Sequence, residues 1–324
     1  MILAYVPNGT GLTRIEVAPG EDVPEAAVWI DLLRPTREEQ QACEKLMGAE
    51  IPTRDEMRSI ESSARFYEEP GGLVMTALLP IAARTHDPET SSVTFVLSQS
   101  RLVTVRHGEP VSITLFERKV GNLPPSAHSG PGIVVGLFEF IIDRCADVME
   151  EASAKVDVMS QKVFEDGISA RKSTLYKDAI KDQGRIGLQI SKMHDVCTGL
   201  SRLLLFIDSR PEKVKFKDSQ KRMLKTYGRD LHSIKEHGDA LDNRLSYLLD
   251  ATIGLVNLEQ NQTAKTYSVL GLIFLPPTLV ASIYGMNFRF MPELDWAYGF
   301  EYALAVMGGL VLVTYLVLRL RRLL

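Results

Sequence analysis

Tyr284, Gly285, Met286 and Asn287 close an uncharged run of more than twenty residues, and two acids, Glu293 and Asp295, follow within a few positions. From Ser282 towards the N-terminus, alternating steps of four and three residues, the coiled-coil period, meet Thr278, Leu275, Gly271, Ser268, Ala264, Asn261, Asn257, Gly254 and Asp250. A self-associating seam in water would carry Leu and Ile at these places. This one carries small residues, hydroxyls, amides and a carboxylate. Two readings fit. Close helix packing in lipid favours Gly, Ala, Ser and Thr. A water-filled lumen surrounded by copies of one helix needs oxygen-bearing side chains, and Asn257, Asn261 and Asp250 favour it. A single chain encloses no lumen, so this reading also implies a homo-oligomer.

The elements that must position these residues are legible from hydropathy. Thr266 to Phe288 contains no charged residue and is long enough to cross a bilayer of roughly 30 Å as a helix. A second apolar run, Tyr302 to Leu318, is extended by the interfacial residues Phe300, Tyr298 and Trp296. Lys265 precedes the first span and Arg319, Arg321 and Arg322 follow the second, whereas the loop between them holds one basic residue, Arg289. The positive-inside bias puts both termini in the cytoplasm. A buried helical hairpin in a soluble core is the competing reading, but such cores rarely need two such runs back to back.

The expected fold is an α+β cytoplasmic domain, then a long stalk helix and two C-terminal transmembrane helices. Residues 1–125 read as the mixed α/β domain, with β-rich runs at 27–32, 71–81, 93–97 and 101–107. Pro35-Thr36 suggests an N-terminal cap for a short helix ended by Gly48. Residues 126–210 read as a helical hairpin, with one stripe at Ile133, Leu137, Ile141 and Val148 and another at Ile186, Ile190, Met193, Val196 and Leu200. After Pro211, a stalk over 211–265 runs into the first span (266–288), an outer loop (289–297), the second span (298–318) and a basic tail (319–324). A helix from about Glu212 to Tyr284 would be on the order of 110 Å long at 1.5 Å per residue. Leu241, Leu245 and Leu248 lie on a different face of it, where they can pack against neighbours.

Composition narrows the function. The 324 residues carry a formal net charge of -4, without the basic footprint of a nucleic-acid binder. Cys43, Cys145 and Cys197 stand too far apart to suggest a disulfide framework or a zinc knuckle. The opening MILAYVPNGTG lacks a basic region before a long apolar core, so membrane insertion is expected to rest on the C-terminal spans. The stretch HSIKEH (232–237) lacks the order of a metalloprotease motif, and GPGIVVG (130–136) follows a Pro/Ser loop rather than a strand. No nucleophile, acid and base are arranged for catalysis.

The run YGMNF followed by MPEL closely resembles the signature of the CorA family of divalent-cation channels and transporters, and the order of elements is similar across essentially the whole chain. The resemblance implies a funnel-shaped homopentamer in a bacterial inner membrane, the first span lining the pore and the second packed around it. It implies Mg²⁺ as main substrate, Co²⁺ and Ni²⁺ as further ones, and no cofactor. Gly285, Met286 and Asn287 then form the selectivity filter, braced by Tyr284. Ser282, Thr278, Asn261 and Asp250 match lumen positions, Leu275 an apolar gate, and Tyr267 a second narrowing. Mg²⁺ sheds water reluctantly, so a ring of Asn287 amide oxygens suits an ion recognised wet, where carboxylates would hold it too firmly for release. Arg289 stands where the family frequently has an acid. Family members close when cytoplasmic Mg²⁺ bridges acids of neighbouring subunits; Asp87 and Glu89, facing Asp230 or Asp239, are the corresponding candidates. A Zn²⁺ transporter of the ZntB branch is the alternative within the class, although that branch tends to replace the methionine kept here as Met286. A membrane-tethered sensor or scaffold that does not conduct is the alternative outside it.

Overall fold

The computed structural model describes residues 1–59, 61–81, 89–165, 172–287 and 291–321. They fall into two units, Met1–Leu249 and Asp250–Leu324.

The first unit is built on a seven-stranded sheet. Its strands are β1 (Ile2–Asn8), β2 (Gly11–Val17), β3 (Trp29–Leu33), β4 (Phe66–Glu69), β5 (Gly72–Pro80), β6 (Thr90–Leu97) and β7 (Leu102–Arg106), in the order β2-β1-β3-β7-β6-β5-β4. All pairings are antiparallel except β3 with β7. Both faces of the sheet are covered, which is why β1, β3 and β5 read as nearly continuous apolar runs rather than as alternating ones. On one face Ile2, Ala4, Ile30, Leu32 and Val96 join Cys43 and Met47 of helix α1 (Arg37–Met47). On the other, Tyr5 stacks on Trp29 at 4.2 Å, Trp29 meets Phe116 at 5.2 Å and Phe95 meets Phe138 at 5.6 Å. A short α2 (Ser62–Arg65) leads into β4; Phe116 belongs to α3 (Val111–Lys119) and Phe138 to α4 (Gly130–Glu165).

Local signals account for the boundaries. Thr36 caps α1 through a reciprocal pair: its hydroxyl accepts from the Glu39 N–H, and the Glu39 carboxylate accepts from the Thr36 N–H at 2.8 Å. Gly48 ends the helix in the left-handed region (φ 65°), a conformation that glycine adopts without steric cost. A charged cluster is set into the core: Asp31 on β3, fully buried, lies 2.8 Å from Arg106 on β7 and accepts a hydrogen bond from Thr104 at 2.6 Å. Arg106 also reaches Glu117 of α3 at 3.3 Å. Burial, then the nearby Asp31, raise the Glu117 carboxyl above its ordinary range, and Arg106 partly offsets them.

Helices α4 and α5 (Lys172–Asp208) bury the two stripes expected from their 3.6-residue period, including Ile133, Leu137 and Ile141 on one and Ile190, Met193 and Val196 on the other. Helix α6 runs from Asp218 to Tyr284, 67 residues. Within the first unit it is held by buried Tyr227, Leu231, Leu241, Leu245 and Leu248, and the Tyr227 hydroxyl donates to the Val135 carbonyl at 3.1 Å. The helix begins six residues after the expected Glu212. The Gln99 side chain grips both backbone groups of Lys215, accepting from its N–H at 2.8 Å and donating to its carbonyl at 3.3 Å. Val214 beside it is buried, so this segment is tied to the turn before β7 and does not join the helix.

The second unit contains the C-terminal part of α6, a 3₁₀ turn over Pro292–Asp295 and α7 (Gly299–Leu320). Both helices are long and apolar enough to cross a membrane. Pro276 and Pro277 lie inside α6. Proline has no N–H to give, so the carbonyls of Leu272 and Ile273 lack the helical donor four residues on. The Thr278 hydroxyl donates to the Phe274 carbonyl at 2.7 Å, which leaves those two carbonyls without a replacement donor from it.

Candidate functional site

The candidate site occupies the second unit, from Asp250 to Asn287. Asp250, Asn257, Asn261, Ala264, Ser268, Gly271, Leu275, Thr278 and Ser282 are all exposed on α6. Exposure alone does not set them apart, since Tyr267, Leu272, Phe274 and Leu279 of the same helix are exposed too. The difference lies in what stands opposite. Between Thr266 and Tyr284 the less exposed positions are Val269, Ile273, Pro276, Pro277, Val280 and Tyr284. At 100° per residue this seam is centred about 170° around the helix from the line through Ser268, Gly271, Leu275, Thr278 and Ser282. Helix α7 shows a matching pattern, its less exposed positions Ala303, Val306, Met307, Leu310, Val311, Thr314 and Leu318 recurring at three and four residues. The polar line is therefore on the side of α6 turned away from its covered seam. Periodicity alone does not reveal that seam, because Val, Ile and Pro look like any lipid-facing residues.

At the C-terminal end of α6 the motif closes the helix. The Gly285 N–H still bonds the Ala281 carbonyl at 2.9 Å, and the Met286 N–H bonds the Ile283 carbonyl at 3.2 Å, a tightened last turn. A Cβ at Gly285 would come within 3.1 Å of the Ala281 carbonyl oxygen, so a larger residue would crowd this turn. Helix C-termini carry roughly half a negative charge from their outward carbonyls, which favours cations. Met286 and Asn287 beyond it are exposed, while Tyr284 is half-buried at its side. The side chain of Asn287 thus sits just past an electronegative helix end. Glu293 and Asp295 fall in the 3₁₀ turn before α7, where Trp296 packs edge-on against Tyr302 at 5.7 Å. Arg289 lies outside the described residues.

The candidate regulatory acids belong to the first unit. Glu89 is exposed just before β6, its carbonyl accepting from the Ile81 N–H at 3.1 Å. Asp230 is exposed on α6, and Asp239 lies 3.9 Å from His194 of α5. Asp87 lies outside the described residues. Among the described residues no three His, Cys, Asp or Glu side chains gather in a way that could hold a metal ion. His232 of the HSIKEH stretch faces Glu236 on an exposed helix surface at 3.5 Å.

Comparison with known proteins bears on this arrangement. The family model described as "CorA-like Mg2+ transporter protein" matches residues 24–322. The chain belongs to the CorA family. Its curated relatives include the magnesium transport protein CorA of Yersinia pseudotuberculosis, 31% identical over 321 residues, and that of Escherichia coli K12, 30% identical over 316 residues, each alignment covering 98% of both proteins. The CorA fold is matched in solved structures as well. The CorA magnesium transporter of Methanocaldococcus jannaschii superposes with a TM-score of 0.72 at 16% identity, over 98% of this chain and 97% of that one. The full-length CmaX protein gives 0.60 at 17% identity, over 99% and 97%. The ZntB cytoplasmic domain of Vibrio parahaemolyticus gives 0.51 at 13% identity over 79% of this chain and 97% of that one, a likeness of fold alone.

Proposed function

We propose that the chain is a Mg²⁺ influx channel of the inner membrane in which several copies of α6 surround a wet lumen and Asn287 selects the hydrated ion. The observation that carries this reading is the line of hydroxyls, amides and small residues opposite the covered seam of α6, ending at an exposed amide beyond the helix C-terminus. Both curated relatives are named magnesium transport proteins. A hydrated dication meets hydrogen-bond acceptors along this line without having to shed its shell, and neutral amides bind it weakly enough for release. Inward flux needs no other energy source: the membrane potential supplies about 4.6 kcal/mol per 100 mV for a charge of two. The assembly is a homopentamer in this reading, with Gly285 and Met286 completing the filter, Leu275 as the apolar gate and Tyr267 as a second narrowing. Co²⁺ and Ni²⁺ are further substrates. Acids of neighbouring subunits, with Glu89, Asp230 and Asp239 as the candidates, bind cytosolic Mg²⁺ and hold the pore shut.

The test is influx into liposomes containing the purified protein, followed with an enclosed Mg²⁺ indicator and repeated with Zn²⁺. Wild type should carry Mg²⁺ in preference to Zn²⁺, and Asn287→Ala should slow it at least about tenfold, the effect of losing roughly 1.4 kcal/mol of interaction at the filter. Undiminished flux in the variant removes Asn287 from the selective step, and Zn²⁺ carried in preference moves the chain to the other branch.

A further inference from the structure

The sheet unit contains a second feature that conduction does not use. A cavity of about 380 Å³ opens between the 3₁₀ turn at Glu56–Arg58, the start of β6 and the end of β7. That volume is in the range of small-molecule sites. Met57 and Ile81 give it an apolar floor, Arg54 and Arg58 stand at its exposed rim, and Ser91, Ser92 and His107 line its wall.

Three properties of the lining point to an anion. First, Arg54 and Arg58 form no ion pair among the described residues, although acids are close in sequence. The Glu56 carboxylate is already taken by Thr53, accepting from its N–H at 2.7 Å and from its hydroxyl at 2.9 Å. Second, the Nε2 atom of His107 is buried with no hydrogen-bond partner among the described residues. Burial, then the positive charges of Arg54, Arg34 and Arg58, lower the His107 pKa, so near neutral pH it is a neutral ring with one N–H to offer. Third, the wall is held tightly. A Cβ at Gly108 would lie 2.6 Å from Ser91 Cβ, so the chain after His107 is pressed against β6. Arg34 holds the same strand end, its Nε donating to the His107 carbonyl at 3.1 Å and its guanidinium pairing with Glu109 at 3.0 Å. Arg34 does so with a φ of 47°, a backbone conformation that side chains larger than glycine rarely adopt.

We propose that this cavity binds the phosphate groups of a small cytosolic oligophosphate, with Arg54 and Arg58 clasping the anion and His107 and the β6 hydroxyls donating to it. The guanidinium fork matches phosphate oxygens in pairs, and two forks four residues apart suit adjacent phosphoryl groups better than a lone carboxylate.

Isothermal titration of the full-length protein in detergent with pyrophosphate, in metal-free buffer, tests this directly. Saturable binding of one pyrophosphate per chain is expected. Arg54→Gln/Arg58→Gln should weaken it by about a hundredfold, roughly tenfold for each charge-assisted hydrogen bond lost. Arg222→Gln/Arg229→Gln, which removes the same charge from exposed positions on α6, should leave it unchanged. Independently of any variant, pyrophosphate should shield Arg54 and Arg58 from phenylglyoxal, read by peptide mass spectrometry. ATP, titrated alongside, separates two sources of the same chemistry: tighter binding than pyrophosphate assigns a nucleotide, and equal binding assigns the phosphates alone. The site is refuted by an absence of saturable heat with wild type, by equal weakening in the two double variants, or by unprotected arginines.

Discussion

Asn287 and Asp31 show how differently single polar residues serve this chain. Asn287 is exposed beyond a helix end, where, in the function proposed above, its amide meets the hydrated ion. Asp31 is fully buried and fixed by Arg106 and Thr104, so its work is structural. A pH dependence follows from a further member of that cluster, the partly buried Glu117 paired with Arg106. Glu117 is pushed above the ordinary carboxylate value of 4.5 by burial and by Asp31. In the folded chain it therefore holds a proton over a window in which the unfolded chain has released it. Stability falls as pH rises across that window and levels off above the folded value. Glu117→Gln removes this titration, so the melting temperature of the variant should vary less with pH from about 4.5 upward, as read by thermal unfolding in buffers of matched ionic strength. The motif residues were legible in the sequence because an amide and a glycine at the end of an apolar run are conspicuous. The arginines around His107 were not: Arg54, Arg58 and His107 are separated by up to fifty-three positions, and only the sheet brings them together.

Among the elements, those with strong local signals could be read directly. Thr36 and Gly48 mark the ends of α1, and the stripes of α4 and α5 follow their period. The strand order could not be read, because the parallel pairing of β3 with β7 joins residues more than seventy positions apart and leaves no local trace. The start of α6 was misplaced for a similar reason, since the Gln99 side chain that holds Lys215 comes from a distant turn. The apolar position on the polar face of α6 carries its own prediction. Leu275 is exposed between Gly271 and Thr278, and a ring of such side chains closes a narrow pore by expelling water. Leu275→Asn should keep the ring wet. If millimolar Mg²⁺ on the cytoplasmic face closes the wild-type channel as proposed, Leu275→Asn liposomes under the same condition should show several-fold higher residual flux.

For the whole molecule, the single chain leaves most of its C-terminal apolar surface uncovered, including Leu270, Leu272, Phe274 and Leu279 on α6 and Leu312, Val313 and Leu316 on α7. Lipid and, in the proposed assembly, neighbouring copies would cover that surface. Native mass spectrometry from detergent should show five chains. If Mg²⁺ bridges acids between them, millimolar Mg²⁺ should slow proteolysis of the first unit, and replacing Glu89, Asp230 and Asp239 together by amides should abolish that protection. Cleavage at one rate with and without Mg²⁺ would show that the acids are not the sensor. The tandem proline has an outcome of its own. Two successive amide oxygens, those of Leu272 and Ile273, have been deprived of their usual donors at a depth where hydrocarbon would offer none in return. Ordered water, or polar groups of a neighbouring helix, are the donors left to them. Isotope-edited infrared spectra should therefore place a ¹³C-labelled Leu272 carbonyl at the lower frequency typical of hydrogen-bonded amides, and the higher frequency of a bare carbonyl would show that nothing has taken the missing donor's place.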